Sequence, residues 1–340
     1  MTEHTVLVTD DRFGDYSIER DVLDSVGAEL AILSPDVVLP EMESPSDWSE
    51  EDRVLLETAE VLLANLLPIT PIVLDHAVRC HTVVRYGVGC DSVDIEAATK
   101  RGVAVATVPG YASPEVATHA SALWLALERR LPVADREMRA GVWPAHDAWP
   151  IRRLSTITAG ILGFGAIARA LVPMIRGFGV ARILVHDVAR IDSSDDHAGA
   201  VESVDIPRLL AESDVLFLLA PHTPETHHVI NAASLARMKR DAILINTARG
   251  GLVDFPALMQ ALRDGRIRAA GLDVFEQEPL QGAQSLVDVE DLVMTGHMAY
   301  FSRHSVAELK RRAAENAKEA IVGHLPASTV NRNLSWRNAE

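Results

Sequence analysis

Residues 158–168 read TAGILGFGAIA. An apolar run ends in Gly163-Phe164-Gly165-Ala166-Ile167-Ala168, and a helical pattern follows. This is the G-x-G-x-x-G/A turn that joins strand to helix in a dinucleotide-binding βαβ unit. Gly163 permits the tight turn and Gly165 lets backbone approach a pyrophosphate. The third position needs a small side chain for helix–strand packing, and Ala168 supplies it. The pyrophosphate is expected on the amides around Ala166 and Ile167, where the helix dipole favours anions. The next strand, RILVHD, ends in Asp187, 22 positions past Gly165. An acid there accepts hydrogen bonds from ribose hydroxyls and repels a 2′-phosphate, which favours NAD over NADP. Arg190 is near enough to blur that preference.

Outward from this turn, short β-branched runs alternate with helical patterns. Strands are predicted at Val6–Asp10, Leu30–Leu33, Val61–Asn65, Thr82–Tyr86 and Val103–Thr107, with helices near Ile18–Val26, Glu50–Ala59, Pro71–Arg79 and Ile95–Lys100. A second series of strands is predicted at Ile157–Leu162, Arg182–His186, Val215–Leu219, Ala242–Asn246, Ala269–Val274 and Leu292–Thr295. The alternation predicts an α/β fold of two Rossmann-like domains with parallel sheets. Runs such as VLFLL and ILIN are continuously apolar, as expected of strands buried on both faces. Between the series a long helix is predicted over 114–130, with Ser113 as cap and Pro114 in its first position. The Pro- and Trp-rich stretch 131–156 reads as an extended excursion. A last helix, Ser302–Val322, is expected to return to the first series. The expected domains are 1–109 with 301–340, a discontinuous flavodoxin-like substrate domain, and 110–300, a cofactor domain inserted into it.

A chain of 340 residues accommodates two domains. With 48% hydrophobic and 24% charged residues it is neither disordered nor collagen-like. The net charge of −16 argues against direct contact with nucleic acid. Residues 1–60 hold 17 acidic and 3 basic side chains, read as a solvated face. Cys80 and Cys90 make neither a disulfide framework nor a CxxC site, and no metal is expected. No apolar run approaches the ~18 residues of a membrane helix, and MTEHTVLVTDD lacks the features of a signal peptide. A cytoplasmic protein with no membrane partner is expected.

Six segments occur in a telling order: RYGVGCDSVDIEAATKRGVAVATVPGY (85–111), GILGFGAIA (160–168), LLAPHTPETHHVIN (218–231), INTARGGLVD (245–254), AAGLDVFEQEP (269–279) and TGHMAY (295–300). The chain resembles the D-isomer-specific 2-hydroxyacid dehydrogenases, and within them the phosphoglycerate dehydrogenase and C-terminal-binding-protein branch. The resemblance covers roughly residues 80–330; the first 60 match only in βα pattern. It implies an NAD-dependent oxidoreductase that interconverts a 2-keto acid and an (R)-2-hydroxy acid by hydride transfer.

Reducing a keto acid requires a cation for the carboxylate and an acid for the carbonyl oxygen. Arg249 follows the strand AILIN, and its guanidinium fork matches a carboxylate bidentately. The resemblance makes it the substrate anchor. His297, one of 13 histidines, follows the last strand in a TxHxA context; imidazole both donates and accepts protons near neutral pH. The family more often has proline where Gly296 stands. By resemblance Glu278 pairs with His297, with Glu276 as the local alternative. Asp273 is expected to accept from the nicotinamide carboxamide, and Pro221, Thr223, Thr247 and Ala248 to lie near the nicotinamide half of the cofactor. Gly87 and Gly89 permit an anion nest whose donors are the amides of Val88 and Gly89. Tyr300 either lines the substrate pocket or serves packing. The family often has glutamate where Thr118 stands, so no acid–base role is carried to Thr118 or the neighbouring His119.

Trp143 and Trp149, in the excursion, read as interface anchors of the homodimer that the resemblance implies. Arg152 and Arg153 are read as surface residues, with a second-anion role open if a partner subunit brings them to a cleft. Two other functions keep the same residues: a corepressor-like protein that senses the dinucleotide, and a dehydrogenase of phosphite or a phosphonate-bearing acid.

Overall fold

The computed structural model describes residues 4–34, 48–143, 151–189, 200–286 and 289–337. In chain order its elements are β1 (His4–Val8), α1 (Ser17–Asp24), β2 (Ala28–Ile32), α2 (Glu50–Thr58), β3 (Val61–Ala64), α3 (Pro71–His76), β4 (Thr82–Arg85), α4 (Ile95–Lys100), β5 (Ala104–Ala106), α5 (Ser113–Glu128), α6 (Leu131–Arg139), β6 (Thr158–Leu162), α7 (Ala166–Gly177), β7 (Arg182–His186), β8 (Glu202–Ser203), α8 (Ile206–Glu212), β9 (Val215–Leu218), α9 (Ala232–Leu235), β10 (Ile243–Asn246), α10 (Phe255–Arg263), β11 (Ala269–Leu272), β12 (Leu292–Met294) and α11 (Arg303–Ile321). They form two units, Met1–Tyr111 with Ser302–Glu340, and Ala112–Phe301.

The first unit holds a parallel sheet of order β2-β1-β3-β4-β5, the flavodoxin-like order. Helix α11 closes one face: Leu309, Ala313, Ala317 and Ala320 pack with Val6, Leu63 and Val84. Its start is set by a capping box in which the Ser302 side chain accepts from the Ser305 amide and Ser305 reciprocates. The tail then holds the sheet edge, where the Val105 amide donates to Asn331 Oδ1 at 2.8 Å.

The second unit holds a parallel sheet of order β12-β11-β10-β9-β6-β7-β8. This is the doubly wound arrangement, with its reversal at β6. Both faces are buried, and the two-residue period sorts the side chains. Leu216, Leu218 and Leu244 enter one core cluster, while Val215, Phe217, Ile243 and Ile245 enter the other. Hence these strands are continuously apolar rather than alternating.

Four local expectations need correction. Ser113 is the first residue of α5 rather than its cap; Ala112 takes the cap position and no side chain caps it. The excursion is partly helical, because α6 spans Leu131–Arg139 and buries Val133. Strand β8 is two residues of mostly solvent-facing Glu-Ser and has no hydrophobic signature. Arg152 is an interior ion-pair residue, not a surface one. Its guanidinium bonds Glu128 Oε2 at 2.7 Å, and the Arg268 guanidinium reaches the same oxygen at 2.8 Å. The Glu128 side chain is wholly buried. Burial opposes its ionisation, but Arg152 and Arg268 outweigh that and hold its carboxyl below the usual range. Arg153 is exposed; Trp149 and Arg190 lie outside the described residues.

Candidate active site

Six parallel strands of the second unit, β6, β7, β9, β10, β11 and β12, are followed within three residues by Gly163, Asp187, Pro221, Arg249, Asp273 and His297. Parallel direction puts all six strand ends on one edge of the sheet, where doubly wound folds bind ligands.

Gly163 has φ +94°, and a Cβ there would stand 2.6 Å from the Ala220 amide nitrogen, so only glycine fits. A Cβ on Gly165 would meet nothing within 4 Å, which leaves that backbone open to a ligand. Helix α7 begins with Ala166 and Ile167, and no side chain caps it. Ala168 is fully buried against the sheet. Asp187 accepts the Phe164 amide on Oδ2 at 2.5 Å and the Ala189 amide on Oδ1 at 2.7 Å. It thereby ties the glycine turn to β7. Thr247 is buried and its Oγ1 has no hydrogen-bond partner, while the Ala248 amide donates to Asn246 Oδ1 at 3.1 Å. The Thr223 amide donates to Thr226 Oγ1, which donates to Pro221 O, folding that loop on itself. An uncapped helix start, an open glycine face and an orphaned buried hydroxyl fit a dinucleotide.

The expected acid–base and anchoring side chains stand beside these loops. His297 Nδ1 lies 2.6 Å from Glu278 Oε2, and the Phe275 amide donates to Glu278 Oε1 at 2.9 Å. With Nδ1 engaged, Nε2 is the nitrogen left for proton transfer. Burial acts to raise the Glu278 pKa. The hydrogen bonds from His297 and Phe275, with the charges of His297 and Arg249, overcome this and lower it. Glu276 bonds His228 Nε2 at 2.6 Å instead of His297, so the structure pairs the histidine with Glu278.

Arg249 is half-buried in a turn held by Asn246, whose Nδ2 donates to Arg249 O at 2.9 Å. A Cβ on Gly250 would collide with the Phe275 and Glu276 backbone, so this turn presses on the segment that carries Glu278. The Tyr300 ring stands edge-on to His297, with centroids 6.5 Å apart. A Cβ on Gly296 would meet nothing within 4 Å, so its departure from the family pattern removes no contact.

His297 has φ +50°, uncommon for a residue with a side chain. Buried Asp273 sustains it. Its backbone oxygen accepts the His297 amide at 2.7 Å. Its Oδ1 accepts Thr295 Oγ1 at 2.5 Å and the Met298 amide at 2.9 Å, and its Oδ2 accepts the Ala299 amide at 2.9 Å. His119 Nε2 lies 2.9 Å from Thr295 Oγ1 and 3.6 Å from Asp273 Oδ1. The Asp273 carboxylate therefore holds the His297 loop, through Thr295, Met298 and Ala299. His119, Thr295 and Asn246 were not anticipated as parts of the site: 154 residues separate His119 from Asp273, and no local pattern links them.

Val88 and Gly89 belong to the first unit, in the turn after β4. The Val88 side chain is 55% exposed. Gly87, at φ +153°, accepts the Val108 amide on its carbonyl at 2.8 Å.

The sequence pattern of the D-isomer specific 2-hydroxyacid dehydrogenase, NAD binding domain, matches residues 121–299. The chain is 40% identical over 300 residues to a glyoxylate reductase of Korarchaeum cryptofilum, covering 84% of this chain and 89% of the relative. It is 34% identical over 296 residues to a glycerate dehydrogenase of Methylorubrum extorquens, covering 85% and 91%. Among solved structures, D-lactate dehydrogenase of Aquifex aeolicus complexed with NAD and lactic acid superimposes with a TM-score of 0.83 at 25% identity, covering 96% of this chain and 99% of that one.

Proposed function

The chain belongs to the D-isomer specific 2-hydroxyacid dehydrogenase family, and from that premise we propose that it reduces short 2-keto acids of the glyoxylate and hydroxypyruvate class. It is an NAD-dependent oxidoreductase of 2-keto and 2-hydroxy acids. The narrower substrate follows the names of the relatives, two of which are a glyoxylate reductase and a glycerate dehydrogenase. The narrower resemblance to the phosphoglycerate dehydrogenase and corepressor branch rests on motif order alone.

Bound NADH supplies the hydride. Arg249 holds the substrate carboxylate and polarises the ketone. His297 delivers its Nε2 proton to the carbonyl oxygen. Glu278 fixes the ring through Nδ1, which leaves Nε2 facing the carbonyl oxygen for the transfer. In the opposite direction neutral His297 takes the hydroxyl proton. Gly163, Gly165, Ala166 and Ile167 hold the pyrophosphate, Asp187 the adenosine ribose, and Thr223, Thr247 and Ala248 the nicotinamide end. Asp187 favours NAD over NADP. The observation that carries this reading is the 2.6 Å His297–Glu278 pair with the Arg249 charge acting on the same carboxylate.

The test is NADH oxidation with glyoxylate, hydroxypyruvate, pyruvate, a branched 2-keto acid, phosphonopyruvate and, in reverse, phosphite. Glyoxylate and hydroxypyruvate should give the highest kcat/KM. His297→Ala should cut kcat by ~10²–10⁴ while NADH still binds, and Arg249→Ala should chiefly raise KM. Preference for phosphonate or phosphite, or no turnover with any substrate, would overturn the reading.

We further propose a homodimer. Leu131, Met138, Val142 and Trp143 are large, at least 48% exposed, and fall within 13 residues on and just after α6. Such a concentration supports a protein–protein contact.

A further inference from the structure

We propose that His227, His228 and Glu276 form a transition-metal site, of the kind that takes Zn²⁺. Among the described residues, one ligating atom from each of these three lies within 4.8 Å of the other two. Glu276 Oε1 is 2.6 Å from His228 Nε2. Ligands sharing a tetrahedral ion at 2.0–2.2 Å stand about 3.3 Å apart, so the His228–Glu276 pair needs less than an ångström of widening, while the His227 atom, within 4.8 Å, joins by side-chain rotation. Two imidazoles and one carboxylate suit Zn²⁺ or Cu²⁺ rather than Ca²⁺ or Mg²⁺, which want oxygen ligands.

The surroundings resemble a supported metal site. His222 Nε2 lies 3.1 Å from His227 Nδ1, so a third ring orients His227 from behind, leaving its Nε2 to ligate. The His227 and His228 rings are stacked at 21°, with centroids 3.9 Å apart, so one ring must turn out of the stack for both nitrogens to reach one ion. His228 is held at φ +49°, and its amide donates to Gly251 O at 2.8 Å. That backbone conformation, uncommon outside glycine, aims two consecutive rings to one side. His227 and Glu276 are exposed, so an ion has a way in.

The site joins two loops, the one after β9 and the one after β11. It also brackets the two glycines that follow Arg249. Gly251 is against the His222 ring, where a Cβ would stand 2.6 Å from Nε2, and Gly250 is against the Glu276 backbone. An ion here ties the Arg249 turn to both loops. The proposal does not depend on the substrate or on the assignment of catalytic roles.

The test is titration of the chelator-treated full chain with ZnCl₂ by calorimetry, beside His227→Gln and Glu276→Gln. One Zn²⁺ per chain is expected in the wild type, with affinity lower by roughly tenfold or more in each variant. Both side chains are exposed, and circular dichroism confirms that the variants fold. No binding by the wild type, or equal affinity and stoichiometry in wild type and both variants, would overturn the proposal, the latter by placing the ion elsewhere.

Discussion

Replacing Asp273 with asparagine separates two roles for the acid at the end of β11. The wild-type carboxylate accepts from Thr295 Oγ1, the Met298 amide and the Ala299 amide while 1% exposed. Asparagine keeps one acceptor oxygen and puts an NH₂ group where the other oxygen was. In either orientation a buried backbone N–H loses a charged acceptor and faces a donor. The lost charged hydrogen bond costs about 1.5–3 kcal/mol, and the unsatisfied amide about 1–3 more. A total of roughly 3–5 kcal/mol therefore opposes the conformation that holds His297 at φ +50°. At ~1.4 kcal/mol per decade, kcat should fall by roughly two to three and a half orders of magnitude. The assay is steady-state reduction of glyoxylate with saturating NADH, together with NADH binding by fluorescence. If Asp273 acts on the loop, kcat falls and NADH affinity changes little. Near wild-type kcat with sharply weakened NADH binding would refute the positioning argument and return Asp273 to the nicotinamide.

Asp187→Ala should narrow the preference for NADH over NADPH, measured as a ratio of kcat/KM values; an unchanged ratio would move discrimination to another group. His81 is buried and its pKa is lowered from 6.5 to about 4, chiefly by burial, so the unfolded chain binds the proton first as pH falls. Its contribution is full above pH 6.5 and is lost towards pH 4; denaturant titrations at pH 7 and 4.5 should differ by roughly 2–3 kcal/mol from this residue, a loss that His81→Gln should lack. Trp143→Ser should shift the chain towards monomer in light scattering while circular dichroism shows it still folded, and an unchanged mass would put the dimer contact elsewhere or deny it.

The parallel sheets were legible because double burial leaves an unmistakable mark. VLFLL and ILIN have no polar alternation, and glycine, proline or a polar residue stops each run. The eleven predicted strands all appear, with bounds that differ from the prediction by at most two residues at either end. Strand β8 escaped because Glu202 and Ser203 pair only at the sheet edge, where burial writes no pattern. Arg152 escaped for a related reason. Its neighbour Arg153 is exposed and nothing local distinguishes them; only the fold brings Glu128 and Arg268 to the first and not the second.

The candidate site divides along the same line. Gly163 and Asp187 could be named from the turn chemistry of one strand–turn–helix unit, and His297 from its place after the last strand, whereas Arg249 took its role from the resemblance. Glu278 and Glu276 could not be separated that way, being two residues apart in one acidic segment. The choice between them is made by loops that meet in space: His228 arrives from the loop after β9 to take Glu276, and His297 from the loop after β12 to take Glu278. Strand order decides this, because β9 and β12 lie on opposite sides of the β10–β11 pair. Each carboxylate is therefore approached by its own imidazole. A swap of partners would require the segment 273–279 to turn over while Asp273 still held the loop 295–299 through both carboxylate oxygens. The buried aspartate thus fixes which glutamate the reactive histidine meets, which is a stronger constraint on the chemistry than either glutamate's own sequence context.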